Sequence, residues 1–259
     1  MPTVTTGNSR IPYRVAGAGG PGLVLVHGTG PGSGMWDHLL DRFGAAHTVL
    51  LPELSGSQDA EDDGGELTVD LLADQVIAVI EDSGLAPVDV VGFSMGAPVA
   101  IAVAAGRPDL IRRLVPAAGW TDPGDEYLRN MMTVWRGIAD SPAAFGRYAT
   151  LTGFSRDFLN SIGRDAVELN ASFMQPTPGL LRQIDLNLRL DIRDLLPQVK
   201  APALVIGCGQ DATIPVDNAR RLHAALPGSR YAELDSGHDV VFERAAQFTD
   251  TVLDFLDAV

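Results

Sequence analysis

The sequence predicts an α/β fold: a doubly wound, mostly parallel sheet with helices on both faces and an inserted helical cap. Three observations carry this. Short β-branched or aliphatic runs at 23–26, 48–51, 88–91, 114–118 and 203–206 each stop at Gly, Pro or His, as strands buried on both faces do. Longer segments with apolar residues at helical spacing lie between several of them. The stretch 121–199 breaks that rhythm, having helical fragments but no run that reads as a central strand.

Each element has a local reason. Residues 68–83 carry Val69, Leu72, Val76 and Val79 on one helical face, with Thr68 placed as N-cap and Gly84 as a stop. A second helix is expected over 95–105, a further strand over 230–234 and a C-terminal helix over 239–256. Helical fragments at 127–139, 156–173 and 180–190 make up the cap, so the expected organisation is a core of 1–120 and 200–259 with a cap of 121–199. The cap aromatics Trp135, Phe145, Phe154, Phe158 and Phe173, taken singly, read as its own core. Right-handed strand–helix–strand crossovers put the functional loops of such a sheet at the carboxyl ends of its strands.

Composition excludes several classes of function. The 259 residues are 46% hydrophobic, enough for a sizeable core and unlike a disordered chain. Lys200 is the only lysine, and 19 basic residues against 33 acids give a net charge of −14. Nucleic acid and anionic membrane surfaces are therefore not expected partners. A small-molecule substrate is. Cys208 stands alone, so no internal disulfide and no cysteine zinc site can form. It reads as a small apolar filler. The N-terminus lacks an apolar secretory stretch and the longest apolar run, 97–105, is too short to span a bilayer, so a cytoplasmic location is expected. Asp59, Glu61, Asp62 and Asp63 lack the ligand pattern of a calcium loop and read as a solvated turn.

The sharpest local signal is Gly92-Phe93-Ser94-Met95-Gly96, directly after an apolar run and directly before a helix. A strand-to-helix turn this tight strains the serine backbone and exposes its hydroxyl, while flanking side chains would strike neighbouring backbone. The N–H of Met95 then faces the reacting centre. A serine hydroxyl needs an imidazole to take its proton and a carboxylate to orient that imidazole. Asp211 and His238 both follow strand ends, and Ser94, Asp211, His238 is the chain order such a sheet uses. Asp122, just past the run 114–118, competes for the acid role. His27, His38, His47 and His223 read as structural or exposed.

On these residues the chain resembles the α/β-hydrolase superfamily, from about Arg10 to its end. His27-Gly28-Thr29-Gly30 is similar to that family's oxyanion loop, which implies the N–H of Thr29 as a second oxyanion donor. Gly92 to Gly96 resembles the nucleophile elbow, Gly209-Gln210-Asp211 with Pro215 the acid loop, and Ser236-Gly237-His238 the histidine loop. The chain departs from the family at Pro52-Glu53-Leu54-Ser55-Gly56-Ser57, which lacks the usual Arg and second Gly and implies an altered pocket wall. Ser94 in place of Asp removes haloalkane dehalogenases and epoxide hydrolases.

The resemblance implies hydrolysis, without cofactor or metal, of a small to medium, largely apolar ester, thioester or lactone. Trp36 and Phe93, beside the oxyanion loop and the nucleophile, and Trp135 in the cap are expected pocket walls. Two other activities share parts of the pattern. The segment from His27 through Pro31 to Trp36 is similar to the oxyanion loop of carbon–carbon bond hydrolases of ring-fission products, which often carry Asn where Phe93 stands. Cofactor-free haloperoxidases share Gly-Phe-Ser-Met-Gly. A non-catalytic receptor on the same fold is the reading from another class.

Overall fold

The computed structural model describes residues 1–17, 19–30 and 32–258; Pro31 of the loop motif lies outside them. Among the described residues, eight strands form one sheet: β1 (Thr3–Thr6), β2 (Ser9–Ala16), β3 (Gly22–Val26), β4 (Thr48–Pro52), β5 (Val88–Phe93), β6 (Ile111–Ala117), β7 (Leu204–Cys208) and β8 (Arg230–Leu234). Their order is β1-β2-β4-β3-β5-β6-β7-β8. The six strands from β3 to β8 are mutually parallel, and the β1–β2 hairpin runs antiparallel at one edge. Five of the parallel strands are the expected apolar runs, and the sixth is the one expected over 230–234.

The hairpin is the part of the sheet the sequence reading lacks. Its buried residues Val4, Ile11, Pro12 and Tyr13 are flanked by Thr, Ser and Arg, so its strands do not form an apolar run of the length the central strands show. Gly7, at a φ of +54°, turns the chain so that Thr6 pairs with Ser9.

Two apolar cores cover the sheet, one on each face. The first packs α2 (Val69–Ser83), α3 (Gly96–Gly106) and α8 (Asp217–Ala225) through Leu72, Val76, Val99 and Leu222. The second packs α1 (Leu40–Gly44) and α10 (Ala245–Leu256) through Phe43, Phe248 and Val252. Thr68 caps α2 by accepting from the Leu71 N–H, and Gly84 ends it in the left-handed conformation. The expected C-terminal helix divides at Arg244, which leaves the helical conformation between α9 (Val240–Glu243) and α10.

Between β6 and β7 the chain inserts α4 (Glu126–Gly137), α5 (Pro142–Gly153), α6 (Arg156–Phe173) and α7 (Pro178–Asn187). The sequence reading lacks α5, whose weakly amphipathic Ala, Gly and Thr content hides its period. The acidic turn has a structural partner in this insertion. Asp62 forms a bidentate bond with Arg182 of α7, at 2.9 Å for each oxygen, while Glu61 pairs with Arg10.

The chain passes from β3 to β4 on one side and returns to β5 on the other, so the loops leaving β3 and β5 face each other across a switch point. Val26 sits beside Gly92 in that register. Gly96, at the start of α3, comes so close that a Cβ would lie 2.3 Å from the Val26 carbonyl oxygen. Gly96→Ala is therefore expected to cost about 1–3 kcal/mol, because backbone has to shift to admit the methyl group. Urea unfolding checks this, and an unchanged midpoint would show that the approach is not that close.

Candidate active site

Ser94 occupies the turn between β5 and α3 with a φ of +54°, a conformation that is strained for a residue with a side chain. Backbone bonds on both sides hold it there. The Ser94 N–H donates to the Ala117 carbonyl at 2.9 Å, and the Ala97 N–H donates to the Ser94 carbonyl at 2.9 Å. A side chain at position 92 would meet the Gly96 carbonyl oxygen at 2.1 Å, so glycine is required there too. Pro98 sits in the first turn of α3, where a missing N–H costs no helix bond.

The loops after β7 and β8 bring the other two residues to it. The Asp211 Oδ1 accepts from the backbone N–H groups of Thr213 (2.8 Å) and Ile214 (2.7 Å), leaving Oδ2 to accept from His238 Nδ1 at 2.7 Å. With its proton on Nδ1, the imidazole turns the lone pair of Nε2 toward the Ser94 hydroxyl at 2.9 Å. All three side chains are buried. Burial lowers the His238 pKa, but the charge and hydrogen bond of Asp211, together with the charge of Asp239, outweigh it and raise it above the ordinary imidazole value.

The loop after β3 lies alongside. A Cβ on Gly28 would stand 3.0 Å from the Ser94 Cβ, and Thr29 lines the same cavity as Ser94. Among the described residues, the backbone N–H groups of Thr29 and Met95 have no protein acceptor. Two side chains one turn apart on α7 clamp the loop from above. Gln183 accepts from the Gly30 N–H at 3.0 Å and donates to the Ser55 carbonyl, and Asn187 donates to the Thr29 hydroxyl at 2.8 Å. His27 is a buried structural residue whose Nε2 accepts from the Leu54 N–H while Nδ1 donates to the Gly28 carbonyl. Burial lowers its pKa, while the charge of Glu53 opposes that shift.

Over Ser94 lies a compartment of about 50 Å³ that Ser94 shares with Phe93, Met132, Trp135 and His238. An outer compartment of about 440 Å³ is walled by Met35, Phe154, Phe173 and Phe242, and the two share Thr29, Phe93, Met174 and Asp239. Phe93 and Trp135 thus stand where substrate walls were expected. Trp36 does not. It is fully buried on the far side of Phe93, edge-on to that ring at 6.4 Å and stacked on Phe248 at 6.3 Å. The short 3₁₀ helix Ser33–Leu39 turns Gly34 and Met35 toward the cavity and Trp36 into the core. Of the aromatics of the insertion, Phe145 is internal packing against Trp135, while Phe154 and Phe173 reach the outer compartment.

Asp122 is occupied elsewhere, accepting from the Thr121 hydroxyl and the Gly124 N–H. Cys208 is buried, which pushes its thiol up and leaves it inert. Glu243 is a supporting residue the sequence reading missed. Its buried carboxylate accepts from the N–H groups of Gly237 and Ser155 and from the Ser155 hydroxyl, tying the histidine loop to the insertion. An acid one helical turn and a residue past His238 was its only signal. Gln183 and Asn187 were also missed, since a polar residue in an amphipathic helix carries no mark of its own. Asp235 and Asp239 bracket His238 in the sequence and read as pointing away from the site, but Asp239 lines the cavity.

These findings agree with comparisons to known proteins. A model described as the alpha/beta hydrolase family matches residues 23–251. The chain is 37% identical to pyrrolizixenacetamide deacetylase of Xenorhabdus hominickii over 99% of this chain and 98% of that one. It is 30% identical to the putative non-heme bromoperoxidase BpoC of Mycobacterium tuberculosis, over 95% of this chain and 97% of the relative. The crystal structure of the enol-lactonase from Burkholderia xenovorans LB400 superposes with a TM-score of 0.88 at 24% identity, covering 99% of this chain and all of that one, and so shares its fold. The chain belongs to the alpha/beta hydrolase family, and it is an enzyme of the hydrolase class.

The His238 imidazole is expected to titrate above the ordinary value of about 6.5, and Asp211→Asn to lower that midpoint, because the partner charge that favours the imidazolium is gone. NMR of the ring protons measures both. A midpoint that does not move would mean Asp211 is not the partner of the ring in solution.

Proposed function

We propose that this chain hydrolyses small to medium, largely apolar carboxylic esters, or the related thioesters, lactones and amides, through an acyl-enzyme on Ser94. The observation that carries the reading is the continuous line from Asp211 through His238 to Ser94, with contacts of 2.7 and 2.9 Å. In that arrangement His238 Nε2 takes the hydroxyl proton as Ser94 Oγ attacks the carbonyl carbon. The N–H groups of Thr29 and Met95 receive the charge that develops on the carbonyl oxygen. The imidazolium, held by Asp211, then gives its proton to the leaving alcohol or amine. Water repeats the sequence on the acyl-enzyme, with His238 again first base and then acid.

Segment 121–199 serves as the cap in this reading, and its Met132 and Trp135 roof the inner compartment. That compartment has room for only a short acyl group. The 37% identical relative, a deacetylase by name, supports such a group and extends the reading from esters to amides. Carbon–carbon bond cleavage ranks lower, because its substrate is a diketone acid. Among the described residues the cavity walls offer no Arg or Lys to hold a carboxylate.

A fluorophosphonate is expected to label Ser94, and p-nitrophenyl acetate to be turned over. Ser94→Ala should lose the label and roughly 10⁴- to 10⁶-fold of the rate with its unfolding curve unchanged. An undiminished rate in that variant would refute the assignment, and labelling without turnover would favour a receptor. Asn187→Ala frees the oxyanion loop at Thr29, so it should lower kcat by up to about 10²-fold with little change in KM. A change confined to KM would instead place Asn187 in substrate binding.

A further inference from the structure

Asp239, the residue after His238, acts in the chemistry described so far only through its charge on that ring, yet it lines both compartments of the cavity. Its backbone is fixed, because its N–H donates to the Gly153 carbonyl at the end of α5 at 2.8 Å. Its carboxylate packs so closely on that residue that a Cβ there would lie 2.4 Å from Oδ2. Despite this confinement, neither oxygen accepts a hydrogen bond from a described residue. The buried acids near it behave differently. Asp211 has two backbone amides and an imidazole, and Glu243 has two backbone amides and a hydroxyl. Asp239 is half-buried, so a carboxylate facing a largely apolar cavity with no protein donor gains most from a ligand that brings one.

Asp239 is also the only acidic side chain on the walls of either compartment among the described residues, with no Arg or Lys beside it. Burial pushes its carboxyl up to about 6, with the charges of Asp211 and Glu243 raising it further and that of His238 opposing them. It is therefore still ionised at neutral pH.

We propose that Asp239 is a specificity-determining residue that receives a hydrogen-bond donor of the substrate, an ammonium or an amide N–H lying a few atoms from the scissile carbonyl. Its charge also turns away substrates with a carboxylate at that place. This rests on the hydrolase reading of the site, since it assigns the group that the substrate must carry. A charge-assisted bond in a confined pocket is among the stronger hydrogen bonds available to a protein, and like charges brought together there are correspondingly unfavourable.

The test compares hexylammonium, 1-hexanol and hexanoate, which share a chain and differ only in the head group. Calorimetric binding, which needs no turnover, is measured near neutral pH beside competitive inhibition of p-nitrophenyl acetate hydrolysis. Hexylammonium is expected to bind at least about tenfold more tightly than hexanoate, with hexanol between them. Asp239→Asn should bring the ammonium-to-carboxylate ratio to within about threefold, and Asp239→Glu should restore most of it. Asp157→Asn, on the exposed first turn of α6, controls for the net charge of −14 and should leave the ratio unchanged.

Hexanoate binding as tightly as hexylammonium to the unaltered protein would overturn the proposal without reliance on any variant. So would a ratio that survives Asp239→Asn, or one that falls equally with Asp157→Asn. Failure of the hydrolase reading looks different: Ser94 would neither label nor turn over ester, while the calorimetric preference and its loss in Asp239→Asn would still report on Asp239.

Discussion

Everything at the site depends on how closely α3 approaches the end of β3. The Val26 carbonyl and the first residue of α3 are separated by a distance that only hydrogen at Cα permits, and the same crowding bars a side chain at position 92. This contact forces the tight turn, and the turn holds Ser94 in its left-handed conformation with the hydroxyl raised out of the sheet. Were the helix to move back by the width of a methyl group, the serine could relax, and its line to His238 would lengthen. Strain is kept here because strands β3, β5 and β6 fix both ends of the turn, the last through the Ala117 carbonyl that binds the Ser94 N–H.

The remaining site residues are supplied by sheet order. β7 and β8 are neighbours, so the loops that follow them are adjacent, and the aspartate and histidine meet although 27 positions separate them. The loop after β3 is adjacent to the serine for the same reason, since β3 and β5 flank the switch point. The insertion then adds constraint from above. Gln183 and Asn187 hold the loop after β3, Arg182 reaches the acidic turn through Asp62, and Ser155 meets the histidine loop through Glu243. Roof and floor are thus joined by buried or partly buried polar bonds at three separate places, which makes the insertion part of the site.

That polar joinery explains what could and could not be read in the letters. Strands β3 to β7 are legible because both of their faces are apolar, and the Ser94 turn because glycine must flank it. The hairpin is not, because short strands with Thr and Arg on their outer side and Ser9 among the buried positions resemble a loop. Helix α5 is obscured by small residues that bury without marking a period. Trp36 illustrates the limit for single side chains. Its position beside the loop after β3 suggests a pocket wall, yet a 3₁₀ helix advances about 120° per residue, so Met35 and Trp36 face different ways.

The sequence alone indicated the α/β class with its parallel central strands, and it singled out the serine, aspartate and histidine that the fold then brings within hydrogen-bond distance. These follow from local rules, since periodicity, turn strain and residue type are all properties of short segments. Only the tertiary structure decided which aromatic rings wall the cavity, which polar residues of the insertion reach the loop after β3, and that Asp239 faces the cavity without a protein donor. Those are outcomes of side-chain direction and of packing between segments far apart in the chain. Such directions are set by the neighbours that exclude water and space from every other choice, and a linear string does not contain those neighbours.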